Sequence, residues 1–200
     1  MSVLSLNNIK KNYGLTKVLN NFSMTVNDNE KLALIGANGS GKTTIFKMIT
    51  GIENIDEGNI SIRNDTSIGY LSQMPEMDNN NTLYEELLKV FEDVILLKEK
   101  ITELENKISE LGAKKEKSDK EMQSLLADYS ELQRKLKNKG GYSYKSEIKK
   151  VAVGLGFNLD ELEKKVSSLS GGEKTRLGLV KLLLFKPNLL LLDEPSNHLD

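Results

Sequence analysis

The chain has 200 residues, enough for one substantial domain or for a domain that carries an insertion. Its 28 lysines and arginines nearly balance its 29 aspartates and glutamates, so any contact with a polyanion must depend on a local patch rather than on net charge. The absence of cysteine excludes disulfides and thiolate metal sites.

The N-terminus shows no targeting signal. The first residues lack a basic stretch followed by a long apolar run, so we expect no signal peptide. No apolar run approaches the roughly 18 residues that a membrane-spanning helix needs. We therefore expect a soluble, cytoplasmic protein that does not insert directly into a membrane.

Residues 1–77 alternate short apolar runs with turn signals, a pattern that is typical of strands. The expected strands cover residues 3–9, 22–26, 31–35, 60–62 and 68–71. The polar residues 78–81 then mark a junction to a different kind of segment.

Residues 78–145 carry a helical pattern. Thr82 is followed three residues later by a glutamate, which is the spacing of a capping box, so a helix should begin there. Apolar residues recur at alternating steps of four and three over residues 83–111 and again over 122–136, which makes a heptad seam. Gly112 is expected to end the first helix. We predict an antiparallel coiled-coil hairpin that projects into solvent; the alternative is a helical pair buried inside the domain.

Residues 146–200 return to a globular pattern. One helix is expected to end at Gly156, and a second should cover residues 170–185, just before Pro187 prevents its extension. The four leucines at 189–192 predict a strand that is buried on both faces, as in parallel sheets.

Residues 36–43 match the phosphate-binding P-loop pattern at every fixed position, between a strand-like run and a helix-like run. The glycines let the backbone curl so that several N–H groups face one anion, and the helix N-terminus adds partial positive charge. Lys42 would reach the β- and γ-phosphates of ATP, and the Thr43 hydroxyl would ligate Mg²⁺. The residues expected to bind the nucleotide here are Gly36, Asn38, Gly39, Ser40, Gly41, Lys42, Thr43 and Thr44. The alternative is a glycine-rich turn that only joins a strand to a helix.

Two adjacent carboxylates follow the apolar run at 189–192. Asp193 can hold the Mg²⁺ shell, because ligands in open α/β sheets lie at the C-terminal ends of the strands. Glu194 is placed to polarise the water that attacks the γ-phosphate. A strand that ends in Asp-Glu is by itself more often only solvated, but together with the P-loop the pair predicts phosphoryl transfer.

A third motif, Leu-Ser-Gly-Gly-Glu-Lys at residues 169–174, lies between these two halves. With it the chain resembles the ATP-binding cassette (ABC) superfamily, in which this signature precedes an Asp-Glu-Pro string. In that family Ser170, Gly171 and Gly172 would face the γ-phosphate of ATP bound to a second cassette, so that active sites form between two cassettes. The alternative is a helix N-terminus that Ser170 merely caps, and both interpretations can hold together.

The resemblance implies an α/β fold, the P-loop NTPase nucleotide-binding domain of ABC proteins, with an antiparallel β subdomain and a helical subdomain that carries the coiled-coil hairpin. It divides the chain into a nucleotide-binding core with the P-loop (residues 1–77), a helical insertion or arm (78–145) and a last part (146–200). The last part would hold the signature helix, the carboxylate strand and a loop that crosses the interface between cassettes.

Further positions are assigned by the resemblance alone. Tyr13 takes the place of the aromatic residue that stacks on adenine, and Val18 would touch the same base. Gln73 matches the glutamine that contacts Mg²⁺ and the attacking water. Glu194, Gln73 and Lys42 would then be the catalytic residues.

The end of the sequence departs from the family pattern. Residues 196–200 match the crossing loop, with Asp200 as its characteristic acid. His198, the only histidine, does not take the place of the family's switch histidine, which lies beyond this loop. We therefore interpret the sequence as a cassette truncated before that histidine, which favours nucleotide binding over efficient hydrolysis by the fragment alone.

Two details resemble the ABC-F subfamily, soluble cassettes that work on the ribosome. One is the string at 193–200 with its Asn197-His198 pair, and the other is the charged hairpin inserted before the signature. This resemblance implies an ATPase with two cassettes in tandem, this being the first, and contacts with the ribosome and transfer RNA. The hairpin tip supports phosphate contact mildly, and a solvated turn explains its lysines equally well. Those lysines are Lys114, Lys115, Lys117 and Lys120.

Two other classes share the catalytic motifs. The ATP-binding subunit of a membrane transporter would lack the projecting hairpin. Chromosome-maintenance ATPases insert coiled coils at this location, but theirs are far longer than the roughly 43 Å that residues 83–111 would span at 1.5 Å per residue. We therefore expect the ribosome-associated class, with the transporter subunit as the alternative.

Overall fold

The computed structural model describes residues 1–72, 76–113 and 119–194. The chain forms two compact units, Met1–Glu76 with Leu169–Asp200, and Met77–Ser168. In chain order the elements are β1 (Ser2–Tyr13), β2 (Thr16–Asn27), α1 (Lys42–Ile49), β3 (Glu57–Ile62), β4 (Ile68–Leu71), α2 (Leu83–Leu88), α3 (Glu92–Ala113), α4 (Asp119–Asn138), α5 (Tyr144–Gly154), α6 (Gly171–Phe185) and β5 (Leu189–Leu192). The five strands found among the described residues all belong to the first unit.

The first unit contains an antiparallel sheet of three strands in the order β2–β1–β3. Leu4, Leu6 and Ile9 of the central strand β1 are fully buried. Because successive side chains of a strand point to opposite faces, this spacing directs one face of β1 into the core. The strands expected in this sheet are confirmed, each as part of a longer strand.

A bulge interrupts β1, where the spacing of its buried residues changes from two to three. The register slips just after Leu6 against β2 and just after Asn7 against β3. Asn8 adopts a left-handed backbone with a φ of 52°. Gly58 on β3 has a φ of 103°, and a Cβ there would lie 2.6 Å from the carbonyl oxygens of both Asn7 and Asn8. The bulge therefore requires glycine at this position.

Strands β4 and β5 form a parallel pair, with Ile68 opposite Leu189 and Leu71 opposite Leu192. The leucine run is thus confirmed as a strand, but the expectation that it is buried on both faces is wrong, because Leu190 is 43% exposed. Side chains alternate along a strand, and only the β5 face that carries Leu189 and Leu191 enters the core.

Helix α1 joins both sheets to one core. Its Ile45, Met48 and Ile49 are buried and lie in the same apolar cluster as residues of β1 and of β5. Their spacing of three and four places them on a single helix face. Burial of each such side chain contributes about 1.5–3 kcal/mol, so this contact fixes α1 firmly against the strands.

The strand expected at residues 31–35 is not formed. In the described ranges this segment has no strand partner, and Leu32 and Ile35 are 45% and 95% exposed. A strand is defined by its ladder of hydrogen bonds, so an apolar run that faces no neighbouring strand stays irregular. Leu34 still packs partly buried against the core.

The helical unit begins with the predicted cap. The Thr82 side chain accepts from the Glu85 N–H, and the Glu85 carboxylate accepts from the Thr82 N–H, which is a capping box. The single helix expected over 83–111 is wrong, because a 3₁₀ turn at Lys89–Phe91 separates α2 from α3. This turn brings the Phe91 ring to 5.4 Å from the Tyr144 ring, so tertiary packing overrides the local heptad pattern.

Helices α3 and α4 form an antiparallel hairpin. Lys139 Nζ lies 2.8 Å from Asp93 Oδ2, and further along Tyr129 OH donates to Glu105 Oε1 at 3.1 Å. Seam residues near the base are buried, whereas those toward the tip are only half-buried. The buried ones are Val94, Ile101 and Leu136. The expected end of the first helix at Gly112 is wrong, since α3 continues to Ala113 and a Cβ at residue 112 would meet no atom within 4 Å.

Within the described ranges, no helix combines the length and the apolar character that crossing a membrane requires.

We expect Gly58→Ala to lower the free energy of unfolding by about 2–4 kcal/mol, because the new Cβ overlaps two backbone carbonyls at a left-handed φ. Urea denaturation followed by circular dichroism measures this loss. Gly51→Ala is the matched control: its φ is 74° but its Cβ would meet nothing within 4 Å. The control should cost only about 1–2 kcal/mol. Equal losses for the two variants would contradict the role of the bulge.

Candidate functional site

The glycine-rich loop turns into α1 through Gly41. This residue is the N-cap of α1 and has a φ of 94°. A Cβ on Gly41 would lie 2.8 Å from Val18 Cγ1 and 3.2 Å from Leu19 Cδ2, so both the backbone angle and the space demand glycine. Helix α1 therefore begins here without a side-chain cap. Its first N–H groups point out of the helix end and can donate to a ligand.

Lys42 lies beside this turn. Its Nζ donates to the carbonyl oxygens of Gly36 at 2.9 Å and of Ala37 at 3.1 Å. An ammonium group has three donors, so two loop carbonyls orient it and one donor is left for an anion. The lysine and the helix N-terminus together make a site of positive potential.

A cavity of about 510 Å³ in the first unit gathers most of the residues predicted to bind nucleotide. It is lined by Tyr13, Val18, Asn38, Gly39, Gly41, Lys42, Thr43, Thr44 and Glu194. The loop, the β1 tyrosine and the acid after β5 are thus brought together from three distant parts of the sequence. Gly36 contacts Lys42, and Ser40 closes the loop with an N–H bond to Ala37 O at 3.1 Å.

Asp193 follows β5 and is 3% exposed. Its N–H donates to Leu71 O at 3.0 Å, and Tyr70 OH donates to its Oδ2 at 3.3 Å. Burial, and then the charge of Asp193, raise the pKa of Tyr70 to about 12, so the phenol keeps its proton at neutral pH and remains a donor. A buried carboxylate is thus held in one orientation at the strand end by β4.

Glu194 lines the same cavity as Lys42 and Thr43. Its φ is 48°, a left-handed angle that glutamate adopts only when its surroundings hold it there. Such strain is typical of functional positions.

The donor set fits Mg²⁺ bound together with a phosphate ligand. Among the described residues, no group of three or more His, Cys, Asp or Glu side chains could hold a metal ion. Mg²⁺ sites, however, commonly use one or two protein oxygens and complete the shell with phosphate oxygens and water. The Thr43 hydroxyl, which lines the cavity, is an oxygen of this kind. The Asp193 carboxylate is another, but it is buried and is not among the residues that line the cavity.

Tyr13 stands at the rim of the cavity and is 46% exposed. Its hydroxyl donates to the Glu53 carboxylate, and Lys11 Nζ lies 5.4 Å from the centre of its ring. The hydrogen bond to Glu53, and then partial burial, raise the pKa of Tyr13. The phenol is therefore protonated at neutral pH, and the hydrogen bond from its hydroxyl to Glu53 holds the ring in place.

The signature segment forms the start of α6. Ser170 is the N-cap: its Oγ accepts from the Glu173 N–H at 3.3 Å, while Glu173 Oε2 accepts from the Ser170 N–H at 2.7 Å. Gly171 and Gly172 are the first residues of the helix, and none of the three lines the cavity. The capping interpretation is confirmed, and the contact with a second cassette stays a prediction.

Some predicted positions lie outside the described residues. These are Gln73, three tip lysines (Lys114, Lys115 and Lys117), and the crossing loop with His198 and Asp200.

Two residues that contact predicted site residues, Tyr70 and Glu53, were not predicted from the sequence. Tyr70 could have been found by pairing the run at 68–71 with the leucine strand, which places its side chain beside the strand that carries Asp193. No local signal indicates Glu53, which meets Tyr13 across 40 residues of sequence.

Known proteins resemble the whole chain. A family model described as ABC transporter matches residues 19–197. The putative ATP-binding protein YdiF of Bacillus subtilis is 43% identical over 200 residues, which is 100% of this chain and 30% of that protein. ABC transporter F family member 5 of Arabidopsis thaliana is 36% identical over 100% of this chain and 28% of its own length.

The energy-dependent translational throttle protein EttA of Escherichia coli K12 is 32% identical over 92% of this chain and 31% of its own length. The chain thus spans about a third of these relatives or less.

Solved structures share the fold. An ATP-binding subunit of an ABC transporter aligns with a TM-score of 0.65 and 21% identity over 98% of this chain and 68% of that one. A dimeric ATP-binding cassette in a post-hydrolysis state with ADP and phosphate aligns with a TM-score of 0.64 and 19% identity, over 98% of this chain and 76% of that one. The expected fold class is confirmed, with its antiparallel sheet and its helical region. Because the family model matches most of its residues, the chain belongs to the ABC transporter family as one of its ATP-binding domains.

Proposed function

We propose that the cavity binds ATP with Mg²⁺ and that the protein hydrolyses ATP when two cassettes close, acting on the ribosome in the cytoplasm as an ABC-F protein. Domains of this family are in general ATPases. The observation that carries the proposal is that Lys42, Thr43 and Glu194 line one cavity.

Each group at the cavity then has a chemical task. The α1 N–H groups and Lys42 neutralise the β- and γ-phosphates, while Tyr13 and Val18 border the base. Thr43 and Asp193 would hold Mg²⁺, which supplies positive charge for the transferring phosphoryl group. Glu194 accepts a hydrogen bond from the attacking water and directs it in line with the leaving oxygen.

A second cassette would complete the site. The start of α6 offers the N–H groups of Gly171 and Gly172 beside a hydroxyl, which suits a γ-phosphate that approaches from another cassette. One structural neighbour is itself dimeric with ADP and phosphate bound, which supports this arrangement.

Sequence similarity to named relatives and the hairpin of α3 and α4 both support the ribosomal role. EttA is named as a translational throttle, and other relatives are named as F family members. The antiparallel pair of α3 and α4 lies in the sequence between β4 and the signature helix, where the arm is expected. This hairpin would reach toward ribosomal RNA and transfer RNA.

We expect Lys42→Ala to weaken ATP binding at least ~100-fold, because it removes the cation that faces two phosphates. A titration with fluorescently labelled ATP measures the affinity. Lys47→Ala is the matched control, since Lys47 lies on the same helix but does not line the cavity. Normal affinity in the Lys42 variant would refute the placement of the phosphates.

In the full-length parent with two cassettes, we expect Glu194→Gln to lower the rate of hydrolysis at least ~100-fold while ATP stays bound, because the amide cannot direct the water as a carboxylate does. In ATP this variant should sediment with ribosomes more strongly than the unchanged protein. Glu163→Gln, an exposed acid in the helical unit, controls for the loss of one charge. Cosedimentation with membranes and not with ribosomes would favour a transporter subunit.

A further inference from the structure

The end of β1 is fastened to the loop that follows α1. Four consecutive residues of β1 bond to residues 53–57, which run from that loop to the first residue of β3. These bonds include Lys10 Nζ to Glu57 Oε2 at 2.6 Å, Lys11 Nζ to Asn54 O at 2.6 Å, Asn12 N–H to Asp56 Oδ2 at 2.7 Å, and Tyr13 OH to the Glu53 carboxylate. Such an unbroken series fixes the path of β1 up to the cavity rim.

The bond between Glu53 and the Tyr13 hydroxyl holds the aromatic ring of Tyr13. The Glu53 side chain is only 24% exposed, and Lys11, with 13% exposure, lies 3.9 Å from it. Lys11 Nζ also lies over the Tyr13 ring, so the ring is held at its edge by an acid and on one face by a cation. The remaining exposed part of Tyr13 borders the cavity.

Glu53 is itself fixed by α1. Its N–H donates to Lys47 O at 3.1 Å, and the N–H of the preceding residue, Ile52, donates to the same oxygen at 2.9 Å. Helix α1, whose first turn follows the phosphate loop, thus holds Glu53 at its C-terminal end. The distance between the phosphate loop and the Tyr13 ring is therefore set by one rigid element.

We propose that Glu53 is a positioning residue that presets the Tyr13 ring for stacking on the planar base of a nucleotide. The inference rests on the proposed function of the cavity. A ring free to rotate would lose conformational freedom when a base stacks on it, whereas a ring already held by its hydroxyl loses little. Glu53 then contributes to base affinity without touching the nucleotide.

The test compares binding of a ligand that has a base with binding of a ligand that has only phosphates. Affinities for ATP and for inorganic tripolyphosphate are measured by calorimetry in the protein and its variants. We expect Glu53→Ala to weaken ATP binding about fivefold, the effect of one partly exposed hydrogen bond to a charged acceptor, and to leave tripolyphosphate binding unchanged. Tyr13→Phe, which keeps the ring, should give the same selective loss.

Three further variants sharpen the result. Glu53→Gln keeps an acceptor oxygen and should restore most of the ATP affinity. The double variant of Glu53→Ala with Tyr13→Phe should lose no more ATP affinity than either single variant, because both changes remove the same hydrogen bond. Glu57→Ala removes the neighbouring bond to Lys10, leaves Tyr13 untouched and should bind ATP normally.

Equal losses for ATP and tripolyphosphate in Glu53→Ala would show a merely structural role and overturn the inference, as would unchanged ATP binding. An unmodified protein that binds neither ligand would overturn the proposed function, and this inference with it.

Discussion

The packing of α1 between the two sheets is the constraint on which the site depends. Ile45, Met48 and Ile49 anchor the helix against β1 and β5 at once. Its first turn therefore stands at the phosphate loop, its last turn positions Glu53, and β5 delivers the paired acids. Loss of this apolar contact would separate groups that the proposed function assigns to one ligand, although none of the three anchors lines the cavity.

The residue that precedes Glu194 of the cavity is a buried carboxylate, Asp193. Asp193 is nearly inaccessible, and an ionised acid in such a place needs donors or a cation to compensate for lost hydration. The Leu71 carbonyl fixes its backbone and the Tyr70 hydroxyl donates to its side chain. Among the described residues the Tyr70 hydroxyl is a side-chain donor to Asp193, and the Mg²⁺ ion of the proposed function would add further compensation.

Features set by local chemistry were predictable from the sequence. The P-loop glycines, the Thr82 and Ser170 caps and the two acids after the leucine run each follow from residue types at short spacing. The structure confirms the two caps and the leucine strand, and the roles of the site residues stay predictions. Features set by distant partners were not. Residues 31–35 have strand composition but meet no neighbouring strand in the described ranges, the heptad seam breaks where Phe91 meets Tyr144, and Glu53 meets Tyr13 only through the fold.

The hairpin of α3 and α4 is not uniform along its length. Val94 and Leu136 near its base are buried, whereas seam residues farther from the base, such as Leu125, are only half-buried. Local opening free energies follow buried apolar contact, so the outer turns can fray while the base stays folded. Within the described parts of α3 and α4, amide hydrogens should therefore exchange progressively faster with distance from the base.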